Sequence, residues 1–485
     1  MSFENTFKNI DDILYKDAGC DSELDYAEQI SWMLFLKYLD DLEKTRKISA
    51  ELKGENYDYV IDQEYRWSTW AQPLKADGKV DENAKKTGID LIEFVNKRLW
   101  PYLKKFIEKS PKTIDHRIGE IFTELNNRIQ SGYNLRDCID RINDLKFQTS
   151  EEKHELSDLY ETRIKNMGNA GRNGGQYYTP RPLIRTMVQM INPKVGETVY
   201  DGACGSAGFL VEAYNYLTEK NKNLSATDFE TIQTKTLYGR EKSPLAYLIG
   251  VMNMILHGVE VPNIEKDNTL RTNTLDIQES DRFDIILANP PFGGKERVEF
   301  KDNFPIKTSE TAYLFLQHFM KSLKAGGRCA LVIKNTFLSN SDGAKLRKEL
   351  LSNYNLHTIL DLPQKTFLGA GVKTIVLFFE KGKKTKNIWY YQFVPDRSLG
   401  KTSPLNENDL ADFRDLYSKR SETENSWNIR LSDVDQNTFD LSAKNPNTPE
   451  EAPLRQPNEI LEAMATLDKE SADVMNDLKL LIGND

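Results

Sequence analysis

The chain has 485 residues, of which 65 are Lys or Arg and 74 are Asp or Glu, so its formal net charge is −9. A chain of this length can bury more than one hydrophobic core, and we expect two or three domains. The acidic balance argues against a protein that holds nucleic acid alone, because phosphate contacts need clustered Lys and Arg. We therefore expect another chain to supply much of any grip on nucleic acid.

Membrane and metal-binding classes are also disfavoured. No apolar run approaches the length of a membrane span and Met1 begins no signal peptide, so we predict a cytoplasmic protein without a membrane partner. The 4 cysteines show no pairing pattern, and neither they nor the 5 histidines have the spacing of a zinc site. We therefore expect no bound metal.

Residues 1–165 are predicted to form an all-helical domain. Their clearest signal is an apolar stripe at helical spacing, formed by Leu24, Ala27, Ile30, Leu34 and Tyr38. A second amphipathic stretch surrounds Ile121.

Residues 166–385 alternate predicted strands and helices, and this order predicts an α/β domain built on a doubly wound sheet. The predicted strands are 198–200, 237–239, 283–287, 328–334, 356–360 and 373–380. The last two are joined by a short loop, which suits an antiparallel strand near the sheet edge. Ligands bind such sheets at the carboxyl ends of the strands.

A glycine-rich segment links the first of these strands to a helix. It contains Asp201, Gly202, Gly205 and Gly208. Glycines at such a turn let the backbone approach a ligand and expose N–H groups at a helix start. The Gly-x-x-Gly-x-x-Gly spacing is not that of dinucleotide-binding proteins, and the Asp201 carboxylate suits a cofactor with a positive or amine-bearing end. A purely structural turn is the alternative.

The second strand of the domain ends near Glu241. A carboxylate at that place can accept hydrogen bonds from both hydroxyls of a ribose. A solvent-exposed glutamate without a ligand is the alternative interpretation. The next helix is predicted to begin at Pro244 with Ser243 as its cap.

The strand 283–287 leads into Asn289, Pro290, Pro291 and Phe292. The two prolines fix φ and remove two backbone donors, and Pro291 keeps Pro290 extended. The result is a stiff turn with free carbonyl groups, a side-chain amide and an aromatic ring. Such a turn can hold a planar amino group by two acceptors while the ring stacks on its heterocycle.

These segments together resemble the S-adenosylmethionine-dependent amino-methyltransferases, most of which act on adenine N6 in DNA. The resemblance implies that Asn289 and the Pro290 carbonyl accept the two N6 hydrogens of a flipped base, and that Phe292 stacks on it. It also implies S-adenosylmethionine as the cofactor. The residues assigned to it are Gln176, Tyr177, Tyr178, Thr179, Pro180, Arg181, Asp201, Gly202, Cys204, Gly205, Ser206, Ala207, Gly208, Phe209, Glu241, Asp267 and Asn268.

The helical start, especially residues 35–42, resembles the N-terminal domain of type I restriction–modification M subunits. This resemblance implies a class I methyltransferase sheet, duplex DNA as substrate, and a complex with a specificity subunit, a second M subunit and a restriction subunit.

Residues 386–455 are polar and are predicted to form an irregular arm. Residues 456–485 are predicted to form a coiled-coil-type helix, because their apolar residues alternate spacings of 4 and 3 with one polar break at Ser471. The resemblance implies that this helix binds the specificity subunit. Packing of the helix on its own chain is the alternative.

Other functions stay open at this point. Motifs like Asn-Pro-Pro-Phe also serve methyltransferases of RNA and of protein amides, although the helical start and the heptad pattern argue against them. A DNA methyltransferase that needs no partner would require a recognition module, and residues 386–455 are short and not basic. A scaffold with a relict pocket is disfavoured by the intact motifs.

Overall fold

The computed structural model describes residues 3–110, 113–145, 157, 160–164, 179–221, 223–293, 298–367, 371–447 and 457–482. The described residues form a helical N-terminal region, a central sheet with helices on both faces, and a C-terminal helix. The predicted fold class, an α/β protein with a helical N-terminal domain and a C-terminal helix, is confirmed. No described helix is both long and apolar enough to cross a membrane.

The N-terminal region is built around one long helix, Glu23–Lys53. Ser22 caps its start by accepting a hydrogen bond from the Asp25 backbone N–H, and Gly54 ends it with a φ of 73°. The stripe predicted from the sequence lies largely in the core, where Ala27, Ile30 and Leu34 are buried. The other α-helices of this region are Phe3–Tyr15, Trp67–Trp70, Gly88–Phe94, Trp100–Lys104, Ile114–Glu124 and Gly132–Asn143.

The central sheet has nine strands in the order β3-β2-β1-β4-β5-β7-β6-β8-β9. The strands are β1 Val199–Asp201, β2 Leu237–Glu241, β3 Ile264–Lys266, β4 Phe283–Ala288, β5 Leu323–Lys334, β6 Tyr354–Asp361, β7 Thr374–Lys381, β8 Asn387–Gln392 and β9 Ser426–Arg430. β7 is antiparallel to both β5 and β6, as the short loop between the last two predicted strands indicated. The chain order reverses between β1 and β4, and sheets of this kind bind ligands at that point.

The prediction of an irregular arm at 386–455 is wrong for much of this segment. β8 pairs in parallel with β6, and β9 pairs antiparallel with β8, so both extend the central sheet. The buried run Ile388–Tyr391 in β8 is rich in aromatic residues, which suits a strand packed on both faces. The short helix Ala411–Tyr417 lies between the two strands and buries Phe413 against Trp389 of β8.

The helices that flank the sheet are Arg181–Ile191, Gly208–Lys220, Ala226–Thr231, Pro244–Leu256, Thr311–Ser322 and Ala344–Asn353. Pro244–Leu256 is apolar around its whole circumference, and every residue from 246 to 256 is buried. A helix of this kind needs cover on all sides. It contacts the sheet helix Gly208–Lys220 on one side and the N-terminal helices Glu23–Lys53 and Ile114–Glu124 on another.

The C-terminal helix runs from Pro457 to Ile482. Five of its predicted heptad positions are exposed to solvent, since Ile460, Met464, Leu467, Val474 and Leu478 are each about half exposed or more. At these five positions the structure therefore differs from the alternative in which the stripe packs on its own chain.

Candidate functional site

The carboxyl ends of β1 and β4 lie side by side, because these strands pair in parallel with Val199 opposite Ile285 and Tyr200 opposite Ile286. Asp201 therefore ends one strand next to the turn that begins at Asn289. A pocket opens at this edge, and nearly all of its walls come from residues predicted at the cofactor or catalytic site. Its lining is Thr179, Ile184, Asp201, Ala203, Cys204, Gly205, Ser206, Gly208, Phe209 and Asn289.

The loop after β1 is tightly wound. Gly205 and Ala207 both have left-handed backbones, with φ of 51° and 61°. Only glycine adopts this region without a cost in free energy. The backbone of Ala207 is therefore strained, and contacts with the surrounding structure must hold it in this conformation. Gly208 begins the next helix, where an added Cβ would collide with the guanidinium of Arg181. The glycines are thus required by close approach as well as by turn geometry.

Asp201 is buried, and its Oδ1 accepts a hydrogen bond of 3.0 Å from the backbone N–H of Ala203. Burial and the nearby charge of Glu241 together raise the pKa of Asp201 to about 8, against the lowering effect of that hydrogen bond. The loop therefore contains a carboxyl group that would gain from a cationic ligand.

Glu241 is the last residue of β2 and lies against the same loop. Its Oε2 accepts from the backbone N–H of Gly205 at 2.9 Å, and its Oε1 accepts from that of Ser243 at 2.8 Å. Burial raises the pKa of Glu241 while these backbone bonds lower it. Ser243 occupies the cap position of the following helix, but the predicted side-chain cap is absent.

Asp267 and Asn268 follow β3 and do not line the pocket that holds Asp201 and Asn289. Their side chains serve the local turn, since Asp267 accepts from the N–H of Asn268 and Asn268 accepts from the N–H of Leu270. The next residue, Thr269, was not singled out in the sequence. Its hydroxyl donates to the carbonyl of Gly202 and so joins this turn to the glycine-rich loop.

The segment before β1 is described only from Thr179 onward, so Gln176, Tyr177 and Tyr178 lie outside the described residues. Pro180 is the cap residue of the helix Arg181–Ile191. Arg181 is paired with the carboxylate of Glu161, so its guanidinium already has an anionic partner within the chain. Cys204 and Phe209 are buried, and burial raises the pKa of the Cys204 thiol.

Among the described residues, Asn289 has a hydrogen-bond partner at one end of its side-chain amide only. Its Nδ2 donates to the hydroxyl of Thr179 at 3.0 Å. Its Oδ1 is buried, yet it has no hydrogen-bond partner among the described residues. A buried acceptor without a partner costs about 1–3 kcal/mol. The amide thus presents an acceptor for a donor that the described chain does not supply.

The aromatic ring of the turn meets a second ring. Phe292 and the buried Phe367 have centroids 5.3 Å apart and an interplanar angle of 80°. A cation also lies near this turn, because the Nζ of Lys334 is 3.8 Å from where a Cβ on Gly293 would stand. Lys334 ends β5 and is paired with Glu310 at 3.1 Å.

Family models and relatives agree on one assignment. The model described as N-6 DNA Methylase matches residues 151–453, and the model described as HsdM N-terminal domain matches residues 3–142. The chain belongs to the type I restriction enzyme methylase subunits. The EcoEI methylase subunit of Escherichia coli is 36% identical, over 100% of this chain and 98% of that protein. The EcoKI methylase subunit of Escherichia coli strain K12 is 29% identical, over 86% of this chain and 78% of its own length.

Solved structures of this methylase family have the same fold. A crystal structure described as the modification subunit of a type I restriction enzyme from Vibrio vulnificus YJ016 is 36% identical. It has a TM-score of 0.80 and covers 92% of this chain and 98% of that one. A chain from work on complex assembly and conformational transition of the type I system has a TM-score of 0.79 at 35% identity, covering 99% and 98%. Methyltransferase activity and membership of the N6-adenine DNA methylases follow from this assignment.

The sequence interpretation missed four residues at this methylase site: Ile184 and Ala203, which line the pocket, and Phe367 and Thr269, which contact predicted residues. Phe367 lies 75 positions after Phe292, and no local pattern links two aromatic residues so far apart. Thr269 adjoins the assigned pair Asp267 and Asn268, so the position of the turn after β3 was a signal that could have identified it.

Proposed function

We propose that this methylase subunit transfers a methyl group from S-adenosylmethionine to adenine N6 in DNA, with the target sequence selected by a separate subunit. The observation that carries the proposal is the buried, unpartnered Oδ1 of Asn289 at the carboxyl end of β4. A buried acceptor in a native structure calls for a partner. The exocyclic amino group of adenine is a donor of the right kind.

The base is held by three groups of the turn after β4. The Oδ1 of Asn289 and the backbone carbonyl of Pro290 accept the two N6 hydrogens, which draws the nitrogen toward tetrahedral geometry and frees its lone pair. The two consecutive prolines keep both acceptors in place, since neither Pro290 nor Pro291 has a backbone N–H to donate to a neighbouring strand. Adenine must leave the duplex stack to reach this turn.

Aromatic contacts retain the flipped base. Phe292 stacks on adenine, and Phe367, which now touches Phe292 edge-to-face, supplies a second aromatic surface. Stacking of a base on an aromatic side chain is worth roughly 1–3 kcal/mol. That range is comparable to the few kcal/mol needed to unstack one base.

The residues that line the pocket beside β1 suit the cofactor. Asp201 and the loop 202–208 would hold its methionine end, and Glu241 would accept the ribose hydroxyls with the lone pairs that the backbone N–H groups of Gly205, Lys242 and Ser243 leave free. Thr179 connects this pocket to Asn289 and so aligns the two halves of the site. When bound, S-adenosylmethionine supplies an electrophilic methyl group. The chain contributes positioning and electrostatics rather than a strong base, because the N6 proton becomes acidic once the methyl group is attached and passes to solvent.

The C-terminal helix is the proposed contact with the specificity subunit. Its exposed stripe repeats with coiled-coil spacing, and such a stripe is buried when a partner helix is present. A second methylase subunit and a restriction subunit complete the proposed complex, in keeping with the type I family. The net charge of −9 is consistent with DNA binding that depends on the assembled complex.

Replacement of Asn289 tests the proposal. Asn289→Ala should abolish methyl transfer to DNA by the assembled complex, because one of the two N6 acceptors is lost. S-adenosylmethionine binding, measured by calorimetry on the same preparation, should stay within a few-fold of the wild type. Turnover retained by this variant would contradict the proposed role of Asn289.

A further inference from the structure

We propose that Glu161 and Asn253 are positioning residues that hold the cofactor loop 202–208 in its binding geometry. Neither residue lines the pocket, and neither was singled out in the sequence. The inference rests on the proposed function of the loop, and it adds two residues that act through the loop and through Arg181.

Asn253 is the one side-chain amide in the apolar helix Pro244–Leu256, and it is fully buried. Its Nδ2 donates to the carbonyl of Ser206 at 2.8 Å and to Oε1 of Glu161 at 2.9 Å. Burying an amide costs free energy unless hydrogen bonds compensate. The two bonds satisfy the Nδ2, whereas the Oδ1 is buried without a partner among the described residues. Because only its Nδ2 is compensated, we infer that an amide is present in this apolar helix for the bonds to Ser206 and Glu161.

The Ser206 carbonyl lies at the most strained part of the loop. Ser206 stands between Gly205 and Ala207, the two residues with left-handed backbones. The same helix supports the loop a second time, since a Cβ on Gly250 would lie 2.7 Å from the Gly205 carbonyl oxygen. Gly250 and Asn253 are three positions apart and share one face of the helix. Strained conformations persist where neighbouring groups fix them, as this face does.

Glu161 extends the support to the other end of the loop. Its carboxylate accepts from Asn253 and forms an ion pair with Arg181, and both of these charged side chains are mostly buried. Arg181 in turn lies directly against Gly208, where the loop becomes a helix. One carboxylate thus holds both the amide that contacts Ser206 and the guanidinium that contacts Gly208.

Glu161 is itself attached to the N-terminal helices through its neighbours. The buried Tyr160 has its hydroxyl 2.7 Å from that of Ser31 in Glu23–Lys53, and Arg163 pairs with Asp11 of Phe3–Tyr15. The short described segment 160–164 therefore links the helical N-terminal region to the cofactor loop. Cofactor affinity should depend on this link although no described residue of the N-terminal region lines the pocket.

The test compares S-adenosylmethionine binding by calorimetry in wild type, Glu161→Gln and Glu260→Gln, each as the full chain. Glu161→Gln keeps the shape and removes the charge, so Kd should rise roughly tenfold, the factor expected when a hydrogen bond to a charged group is weakened. Glu260→Gln is the matched control, because Glu260 forms an exposed ion pair with Arg46 between the same two regions but does not contact the loop. Its Kd should equal that of the wild type.

A purely structural role predicts a different result. Glu161→Gln would then lower the melting temperature without ligand while its folded form bound S-adenosylmethionine with unchanged Kd, and the inference would be overturned. Asn253→Leu gives a second measurement, and its effect on Kd should not add to that of Glu161→Gln, because both act through one connected network. Additive effects, or no effect from either variant, would also overturn the inference. Wild-type protein that fails to bind S-adenosylmethionine would instead refute the proposed function.

Discussion

Two helices of this chain have opposite arrangements of apolar residues. Pro244–Leu256 is apolar on every side and is buried from residue 246 onward, with the sheet on one side and the N-terminal helices on another. Pro457–Ile482 has a single apolar stripe, and the stripe is exposed at Met464, Leu467 and Val474. The apolar residues of the first helix are buried by other parts of the chain, whereas these apolar residues of the second helix are not. The distribution of apolar residues around a helix therefore distinguishes an internal junction from the surface that we propose for a partner.

The largest expected effect comes from placing one charge in each helix. Met252 is fully buried, so Met252→Asp leaves an unpaired charge in the core and should lower the free energy of unfolding by more than about 4 kcal/mol. Met475 is 57% exposed, so Met475→Asp should change it by less than about 0.5 kcal/mol. Urea denaturation of both variants provides the measurement. Equal destabilisation by the two substitutions would contradict the comparison.

The second prediction concerns the stripe as a binding surface. Leu467→Asp places a charge at a heptad position and should weaken binding to the specificity subunit by at least about thirtyfold, since truncating a central interface residue costs about 2 kcal/mol or more. Ala472→Asp adds the same charge away from the heptad seam and serves as the control. Pull-down with titration of the purified specificity subunit measures both variants. Intact binding by Leu467→Asp would remove the helix from the interface.

A third substitution asks whether the cofactor site is independent of that interface. Glu241→Gln replaces one carboxylate oxygen with a donor next to backbone N–H groups, so S-adenosylmethionine affinity should fall roughly tenfold. Binding to the specificity subunit should be unaffected. Glu265→Gln, on the adjacent strand β3, is the matched control, because Glu265 pairs with Arg240 rather than with the loop. Loss of complex formation by Glu241→Gln would show that the two regions are coupled.

The smallest expected effect is a pH dependence of cofactor binding. Burial raises the pKa of Asp201 to about 8, so the free protein must release a proton from this carboxyl group before a cationic ligand gains from its charge. Affinity should therefore rise with pH, by about fivefold between pH 7 and pH 8, if the charged form alone pairs with the ligand. Calorimetry in buffers of different ionisation enthalpy would detect the proton release. Binding with no proton release across this range would contradict the assignment of Asp201.

The strands that form the site were predictable because each has a local pattern. The apolar run before Asn289 and the glycine-rich loop after Asp201 predicted β4 and β1, and both motifs lie at the strand ends as expected. The α/β class and the antiparallel β7 followed from the order of elements. A local pattern of apolar residues also predicted the heptad stripe of the C-terminal helix.

The remaining features depend on contacts between distant residues. β8 and β9 are separated by more than thirty positions, so their pairing has no hairpin signal, and the polar residues between them concealed the strands. Phe367 reaches Phe292 only through the folded sheet. Asn253 did carry a local signal, since it is a single amide within an apolar helix, but its partners Ser206 and Glu161 are visible only in three dimensions.

The most direct test of the account is transfer of a labelled methyl group from S-adenosylmethionine to plasmid DNA, with this chain alone and with its specificity subunit added. The account predicts label on adenine N6 only when both chains are present, and loss of that label with Asn289→Ala. Label on another base, on RNA or on protein would contradict the assigned chemistry. Full activity of the chain alone would contradict the proposal that this chain catalyses methyl transfer while a separate subunit recognises the DNA sequence.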